Sequence, residues 1–493
     1  MTNANSMSKP MAGKAAGSRL GMLALAISLV TTGCASLEPR LPEAQPNIRA
    51  EWPLPPTTQA PETEKSTASP EEAGEVAVAD IGWRDFFVDD NLQQLIAQAL
   101  ENNRDLRVAV LNVERVRAQY RIQRADRLPS VGVTGTAQRS GGDNNLNPGE
   151  LYSVELGVSR FELDLFGRVR NLSEAALQQY FAQEEARRSA QLALIAELAN
   201  AYLTLAADRE RLQVAEQTLK TYEESYALSK RRYELGALSA LELVQAETEV
   251  ASARAEVARY QGNVAQSMNA LNLLVGAPVD EQLLPEGLVG QVTGLMPLPA
   301  GLPSDVLLRR PDIQRAEYLL RSANANIGAA RAAFFPSITL TGNVGFASDE
   351  LSGLFNTGNR LWSFIPQVNI PIFQAGRLRG GLDVATANRD IALAQYEQAI
   401  QSGFREVADA LALTQTLAQQ SRAQEAVVEA ARRADKLAEA RYRAGQDSYL
   451  VRLDAQRVLY EAQQGLVAIR LAEQANRVTL YRVLGGGWQE KTQ

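Results

Sequence analysis

Hydrophobic residues recur every seven positions along two neighbouring stretches of the chain. Leucines and tyrosines follow this spacing from Leu198 to Tyr233, and leucines and valines follow it from Leu243 to Leu271. A sustained seven-residue repeat is typical of helices that pack as coiled coils. The pattern predicts a helix of about 65 residues from Val169 to Tyr233, roughly 100 Å long. A returning helix follows it.

The helical pattern stops and restarts at two similar places. Arg232–Gly236 (RYELG) is followed by Ser239–Glu242 (SALE), a capping-box pattern that would start the returning helix. Arg441–Gly445 (RYRAG) is followed by a restart at Asp447 or Ser448. Because glycine commonly ends a helix, both stretches predict the tips of helical hairpins.

The two tips belong to an internal duplication. Adding 209 to the residue number maps Tyr233 onto Tyr442 and, without a gap, Leu271 onto Leu480. Upstream, Arg104–Ser130 maps onto Pro311–Ser337 at an offset of 207, and two residues inserted before Arg377 account for the change. Repeated units of this kind are expected to form one body.

Each copy also contains alternating stretches that predict two strands. A helical pattern over Asp89–Arg127 precedes Val131 and Val133, and Val154–Leu165 alternates with a one-residue slip that suggests a bulge. In the second copy, Ile338–Phe346 and Trp362–Ile372 alternate. Within the latter, Trp362 and Phe364 are interpreted as part of a lipid-facing band or aromatic girdle.

Four strands of this length do not suffice for a closed barrel. Transmembrane strands need about 9 to 11 residues, and outer-membrane barrels need at least eight strands. The chain is therefore expected to oligomerise, with eight strands in a dimer or twelve in a trimer. There is no run of 18 apolar residues, which argues against a membrane-spanning helix.

Composition excludes several classes of site. The chain has no histidine and a single cysteine, Cys34, which removes histidine-dependent triads, zinc sites of histidine or cysteine, iron–sulfur clusters and disulfides. No phosphate-binding loop motif occurs, and the formal charge of -7 argues against a nucleic-acid partner. A hydrolase that uses only carboxylates is not excluded by composition.

The N-terminus has the pattern of a targeting segment. Residues 1–33 combine a basic region with the apolar stretch Leu20–Val30, which is too short to span a bilayer. The ending before Cys34 resembles a bacterial lipobox, although Thr31 stands where leucine is usual. The segment is therefore predicted to be a lipoprotein signal peptide with acylation at Cys34. The alternative is an ordinary secretory signal with an incidental cysteine. Ala35 and Ser36 lack the aspartate that favours inner-membrane retention in this lipoprotein class.

Five features of the chain occur together: the lipobox, the duplicated order of strands and long hairpin, the paired tips, Leu453–Arg457 (LDAQR) and Leu484–Trp488 (LGGGW). In these features the chain resembles the TolC/OprM family of outer-membrane factors, in its lipoprotein (NodT) branch. The resemblance covers nearly the whole chain from Cys34. It implies an α+β membrane protein whose homotrimer forms a 12-stranded outer-membrane β-barrel continued by a coiled-coil α-helical tunnel. It also implies the exit duct of a tripartite efflux pump for drugs or other toxic compounds.

The resemblance further implies partners and sites. The partners are a periplasmic adaptor, an inner-membrane transporter of the resistance-nodulation-division type, and outer-membrane lipid. No cofactor is expected apart from lipid on Cys34. The implied periplasmic gate consists of Leu450, Asp454 and Arg457, with Arg441 and Tyr442 in the links that hold it shut. The implied adaptor-docking tips comprise Arg232, Tyr233, Gly236, Ser239, Gly445 and Ser448.

The residues themselves support the gate in part. Leu450, Asp454 and Arg457 are spaced i, i+4, i+7 and so share one helix face. Threefold symmetry would turn them into rings, which are known ways to restrict a pore. The alternative is that Asp454 and Arg457 form a solvated helix pair of about 0.3 kcal/mol, and that Gly236 and Gly445 are explained by turn chemistry alone.

The predicted division of the chain follows from these features: a signal peptide at 1–33, an acylated N-terminus and extended linker at 34–80, a first repeat at 81–276, a Pro/Gly-rich (equatorial) connection at 277–305, a second repeat at 306–488 and a C-terminal tail at 489–493. Two other functional classes remain open on sequence alone. One is a lipoprotein that braces the envelope with coiled coils, and the other is a carboxylate-dependent glycosidase.

Overall fold

The computed structural model describes residues 37–49, 52, 81–141, 149–288, 292–293, 304–486 and 489–492. The predicted signal peptide, Cys34 and Trp488 lie outside the described residues. The α-helices are α1 (Trp83–Phe86), α2 (Asp90–Asn102), α3 (Arg104–Ala125), α4 (Arg168–Glu234), α5 (Ala240–Val275), α6 (Pro311–Ala332), α7 (Arg377–Arg443) and α8 (Tyr449–Val483). The strands are β1 (Val131–Ser140), β2 (Gly149–Leu163), β3 (Ser337–Ser348) and β4 (Arg360–Asn369).

The strands form one antiparallel sheet in the order β1-β2-β3-β4, so the two repeats meet where β2 pairs with β3. The register of that pair shifts between Val158 and Phe161, and Arg160 has a positive φ of 52°. This is the predicted bulge. The apolar residues before the bulge have even numbers (Val154 to Val158) and those after it have odd numbers (Phe161 and Leu163). The extra residue of the bulge therefore keeps both groups on the same side of the sheet.

One face of the sheet is apolar across all four strands. Trp362 and Phe364 lie on it and are 77% and 62% exposed within the chain. The other face carries mainly hydroxyl, amide and carboxylate groups, and there Asn343 hydrogen-bonds to both Glu155 and Ser363 across three strands. An apolar face and a polar face of this kind are what a barrel in a membrane requires. The apolar face comprises Val131, Val133, Val154, Leu156, Val158, Phe161, Leu163, Ile338, Leu340, Val344, Phe346, Trp362, Phe364 and Val368.

The structure differs from the sequence-based prediction at three element boundaries. The helix predicted over Asp89–Arg127 is two helices, because Asn103 is extended and its side chain accepts a hydrogen bond from Leu106 N at 2.9 Å, capping α3. The second strand ends at Leu163, before Leu165, and the fourth ends at Asn369. Pro371, which has no N–H to donate, follows the fourth strand.

The chain divides into two compact units. The strand unit contains Arg115–Phe181, Glu317–Ala394 and the described residues before Ala44. The hairpin unit contains Ala44–Glu114, Ala182–Ala316 and Gln395–Gln493. The four strands thus belong to the first unit, and both helical tips belong to the second.

The hairpin unit has a large apolar core. Phe86 and Tyr481 stack with ring centroids 3.8 Å apart, and Leu198 and Leu205 are fully buried beside them in the same cluster. An 18-residue window of α4 reaches the mean hydropathy of a membrane span, 1.3, but 61% of it is buried inside the protein. That burial is what a core helix shows. The predicted tail is packed as well, since Gln489 O accepts a hydrogen bond from Trp83 N.

Candidate functional site at the hairpin tips

The two tips have the same backbone geometry. Gly236 and Gly445 adopt φ values of 72° and 71°, in the left-handed region that favours glycine. In each tip the residue after the glycine donates its N–H to the carbonyl five residues earlier, at 2.8 Å for Ala237 and 2.9 Å for Gln446. This arrangement satisfies carbonyls at the end of a helix, so both glycines have a structural role in the turns.

The helices that follow the two tips, α5 and α8, begin differently. Ser239 and Glu242 form the predicted capping box, with Ser239 Oγ accepting from Glu242 N at 3.2 Å. Ser448, its counterpart, is the N-cap of α8, but its side chain makes no capping hydrogen bond. We expect Ser239→Ala to weaken the first turn of α5 by about 1 kcal/mol and to speed hydrogen exchange there roughly fivefold.

The matched control for this prediction is Ser448→Ala, because the same substitution there removes no capping hydrogen bond. Hydrogen–deuterium exchange of peptides from the starts of α5 and α8 in both variants measures the difference. Equal acceleration at the two starts would show that the capping box does not contribute to the stability of α5.

The tyrosines of the two tips occupy different environments. Tyr233 is 44% exposed, whereas its counterpart Tyr442 is 4% exposed and packs edge-on against Tyr449 at 5.9 Å. Both buried tyrosines belong to a small cluster with Tyr222 and residues of α5 and α8. Burial raises the pKa of Tyr222 and of Tyr449 to about 12, so these rings are neutral at physiological pH.

Two guanidinium groups lie close to the ring of Tyr442. Arg232, from the first tip, is 5.0 Å from its centroid, and Arg452, from α8, is 5.4 Å from it. Cations over an aromatic face are attracted by its electron density. Arg232, predicted as a docking residue, therefore also joins the first tip to the second within one chain.

Arg441 lies at the surface of the second tip. Its guanidinium makes two hydrogen bonds to the carboxylate of Asp447, at 2.6 and 2.9 Å. This contact lowers the pKa of Asp447 and raises that of Arg441. The pair spans the turn and constrains its ends, although both groups are in contact with solvent and screening weakens such a pair.

The predicted gate residues lie on the open side of α8. Leu450 and Asp454 are exposed, whereas Tyr449, Arg452 and Leu453 on the opposite side are buried. The shared face inferred from the spacing is therefore present.

Arg457 is not simply a solvated helix partner of Asp454. Its guanidinium forms an ion pair with Glu249 of α5, and a second contact joins Nε to Oε2 at 3.4 Å. The side chain of Glu249 is 10% exposed and that of Arg457 is 50% exposed. Hydrogen bonding to this carboxylate is the main cause that raises the pKa of Arg457.

Further polar contacts continue between α5 and α8 away from the tip. Tyr460 donates a hydrogen bond to Glu256 at 3.2 Å, and Tyr260 donates one to Gln464 at 3.1 Å. With Glu249 and Arg457 these residues form a ladder of contacts between the returning helices of the two repeats. The ladder connects residues more than 200 positions apart in sequence.

Sequence analysis missed Glu249, Arg452 and Gln456, all of which are buried near the tip. Tyr442 Oη, Tyr449 Oη, Arg452 Nε and Gln456 Oε1 have no hydrogen-bond partner among the described residues. The sequence did contain a signal for Glu249. It lies beside the buried seam of α5, which consists of Ala246, Val250 and Ala253. A carboxylate one position from such a seam is a candidate for a buried pair. Over the ranges that the structure describes, no group of acidic side chains is arranged to hold a metal ion.

Known proteins with the same architecture are similar along most of the chain. The probable efflux pump outer membrane protein TtgC of Pseudomonas putida is 49% identical over 477 residues, 96% of both chains. The cation efflux system protein CusC of Escherichia coli is 45% identical over 414 residues, 83% of this chain and 89% of the relative.

A solved structure shows the same fold. The open state of the Neisseria gonorrhoeae MtrE outer membrane channel is 39% identical, with a TM-score of 0.82 over 93% of this chain and 100% of that one. The predicted fold class is therefore confirmed: four strands per chain of a trimeric 12-stranded barrel, continued by a coiled-coil tunnel. The profile of the outer membrane efflux protein family matches residues 95–277 and 302–486. The chain belongs to that family and is the outer-membrane channel component of an efflux pump.

Proposed function

We propose that the channel is gated at its periplasmic tip by Leu450, Asp454 and Arg457 of α8, with Arg441 and Tyr442 in the contacts that hold the tip shut. The observation that supports this most directly is that Leu450 and Asp454 remain exposed while the opposite side of α8 is buried. In a trimer, three copies of this exposed face would form an apolar collar and a ring of carboxylates, both of which restrict ion passage.

Asp454→Ala and Arg441→Ala are expected to raise the resting conductance of purified trimers in a planar bilayer. The first removes charge from the proposed ring, and the second frees Asp447 and loosens the turn. Gln245→Ala is the matched control, because Gln245 is the uncharged counterpart of Asp454 in the first repeat. Conductance equal to wild type in both variants would rule out the gate. A wild-type trimer that never conducts would favour the envelope-bracing alternative.

We also infer that the tips dock a periplasmic adaptor, through Arg232, Tyr233, Gly236 and Ser239 in the first repeat and Gly445 and Ser448 in the second. Leu235, Leu241 and Val244 at the first tip are 83%, 68% and 56% exposed, and several exposed apolar side chains at one place suit a protein contact. An inner-membrane transporter of the resistance-nodulation-division type completes the proposed pump. Its substrates are proposed to be small toxic compounds, since the names of relatives refer to toluene, antibiotics and cations. No catalytic residue and no cofactor is proposed.

Cys34 is proposed to carry covalent lipid. Replacement by Cys34→Ser is expected to abolish incorporation of labelled palmitate, because a hydroxyl does not provide the thiol to which the lipid is attached. Growth in labelled palmitate, followed by purification and mass spectrometry of the N-terminal peptide, measures this. Ser36→Ala, two residues away, is the control that should retain the label. Label retained in Cys34→Ser would place the lipid elsewhere.

A further inference from the structure

The strand unit holds an extended segment of its own chain against α6. Asn324, which is 1% exposed, donates hydrogen bonds to Glu38 Oε1 at 2.9 Å and to Pro39 O at 2.8 Å. Arg331 donates to Leu37 O at 3.2 Å. Gly328 lies between these two residues, and a Cβ there would be 2.5 Å from Asn171 Nδ2 and 3.1 Å from Glu38 Cα. Asn324, Gly328 and Arg331 share one face of α6 and form a groove for an extended peptide.

The duplication places three arginines at the corresponding positions of α3. Subtracting 207 maps Asn324, Gly328 and Arg331 onto Arg117, Arg121 and Arg124. We call these three residues the arginine stripe. Where α6 has a glycine that lets a peptide backbone approach, α3 has Arg121, whose side chain would occupy that space. The first repeat thus offers guanidinium donors in place of a peptide groove.

Within the described residues, the arginine stripe has no counter-charge. All three arginines are exposed, and in this part of the chain none of them makes an ion pair or a side-chain hydrogen bond. Some exposed arginines elsewhere, such as Arg254 and Arg443, bind a glutamate. Three guanidinium groups on one helix face, without such partners, make a site for an anion with several oxygen atoms.

The position of the stripe indicates which anion it meets. Arg124 lies in the last turn of α3, seven residues before Val131, the first apolar-face residue of β1. All four strands meet their neighbouring helices at this same end of the sheet. Since the strands cross the outer membrane and the helices continue into the periplasm, the stripe lies beneath the inner leaflet. The anions at that level are phospholipid headgroups.

We propose that Arg117, Arg121 and Arg124 bind the headgroup phosphate of an anionic phospholipid of the inner leaflet, such as phosphatidylglycerol. Arg124 is closest to the strands and Arg117 is about 10 Å further along the helix axis. A headgroup that enters from the membrane side therefore contacts Arg124 first. Substitution effects should decrease in the order Arg124, Arg121, Arg117.

The test uses full-length trimers in neutral detergent, titrated with short-chain phosphatidylglycerol, short-chain phosphatidylcholine or inorganic phosphate, and read by native mass spectrometry. We expect tight binding of phosphatidylglycerol alone. Because each arginine near anionic lipid contributes roughly fivefold in affinity, R117Q/R121Q/R124Q should weaken binding roughly 100-fold. R104Q/R107Q/R433Q removes three other exposed arginines and should leave binding unchanged.

Three results would overturn the proposal. Equal loss of binding in the two triple variants would show a general effect of net charge. Binding of inorganic phosphate as tight as that of phosphatidylglycerol would assign the stripe to free phosphate. Dissociation of the R117Q/R121Q/R124Q trimer with unchanged lipid binding would show that the stripe pairs with an acidic residue of a neighbouring copy.

Discussion

Arg457→Ala is expected to raise the resting conductance of the channel more than Asp454→Ala does. The substitution leaves Glu249, whose side chain is 10% exposed, without its cationic partner. Leaving one member of a largely buried pair uncompensated costs about 2 kcal/mol when the other member is half exposed. If the open tip separates α5 from α8, this cost falls on the closed state and favours opening by roughly 30-fold.

Exchanging Glu249 and Arg457 tests whether the ion pair, rather than the arginine alone, keeps the tip closed. Glu249→Arg should increase conductance as Arg457→Ala does, and E249R/R457E should restore much of the closed behaviour. Arg254→Ala is the control, since Arg254 binds Glu223 at 2.7 Å in an exposed pair between α4 and α5. The prediction fails if the exchanged double variant conducts as much as Glu249→Arg alone. The Asp454 gate could still stand, because Asp454 does not take part in this pair.

Arg310→Ala is expected to cause the largest loss of stability. Arg310 is 5% exposed and donates to Asp312 at 2.7 Å, to Glu406 at 2.8 Å and to Val483 O at 2.9 Å. Burial alone would lower the pKa of Arg310, but its hydrogen bonds to the two carboxylates raise the pKa above its ordinary value. Removal leaves two carboxylates and the end of α8 without their donor, at about 3 kcal/mol.

Thermal unfolding of the purified trimer measures this effect, with Tm expected to fall by roughly 3 °C. Arg315→Ala removes an exposed arginine five residues away and should leave Tm unchanged. Arg310→Lys is informative as well, because a lysine cannot reproduce the two-pronged contact with Asp312. If Arg310→Ala unfolds within about 1 °C of wild type, the network contributes nothing to stability.

Sequence by itself determined the elements and their repetition. The seven-residue spacing predicted α4 almost to the residue, and the slip after Val158 predicted the bulge of β2, because coiled-coil and strand periodicities are local properties of the chain. The glycines of the two tips and the capping box at Ser239 were predicted for the same reason. Strand and helix ends at Leu163, Asn369 and Asn103 were misplaced, since a single side-chain cap or a missing N–H decides such ends.

Tertiary structure decided which side chains meet. The buried row of α5 marks Glu249 as a candidate for a buried pair, but only the rotation of α5 against α8 buries it and brings Arg457 to it. The same holds for the tyrosines of the tips, where equal sequence leaves Tyr233 exposed and places Tyr442 close to Arg232 and Arg452. Contacts between positions about 200 residues apart depend on how helices pack, and that packing is set by the whole fold rather than by any one segment.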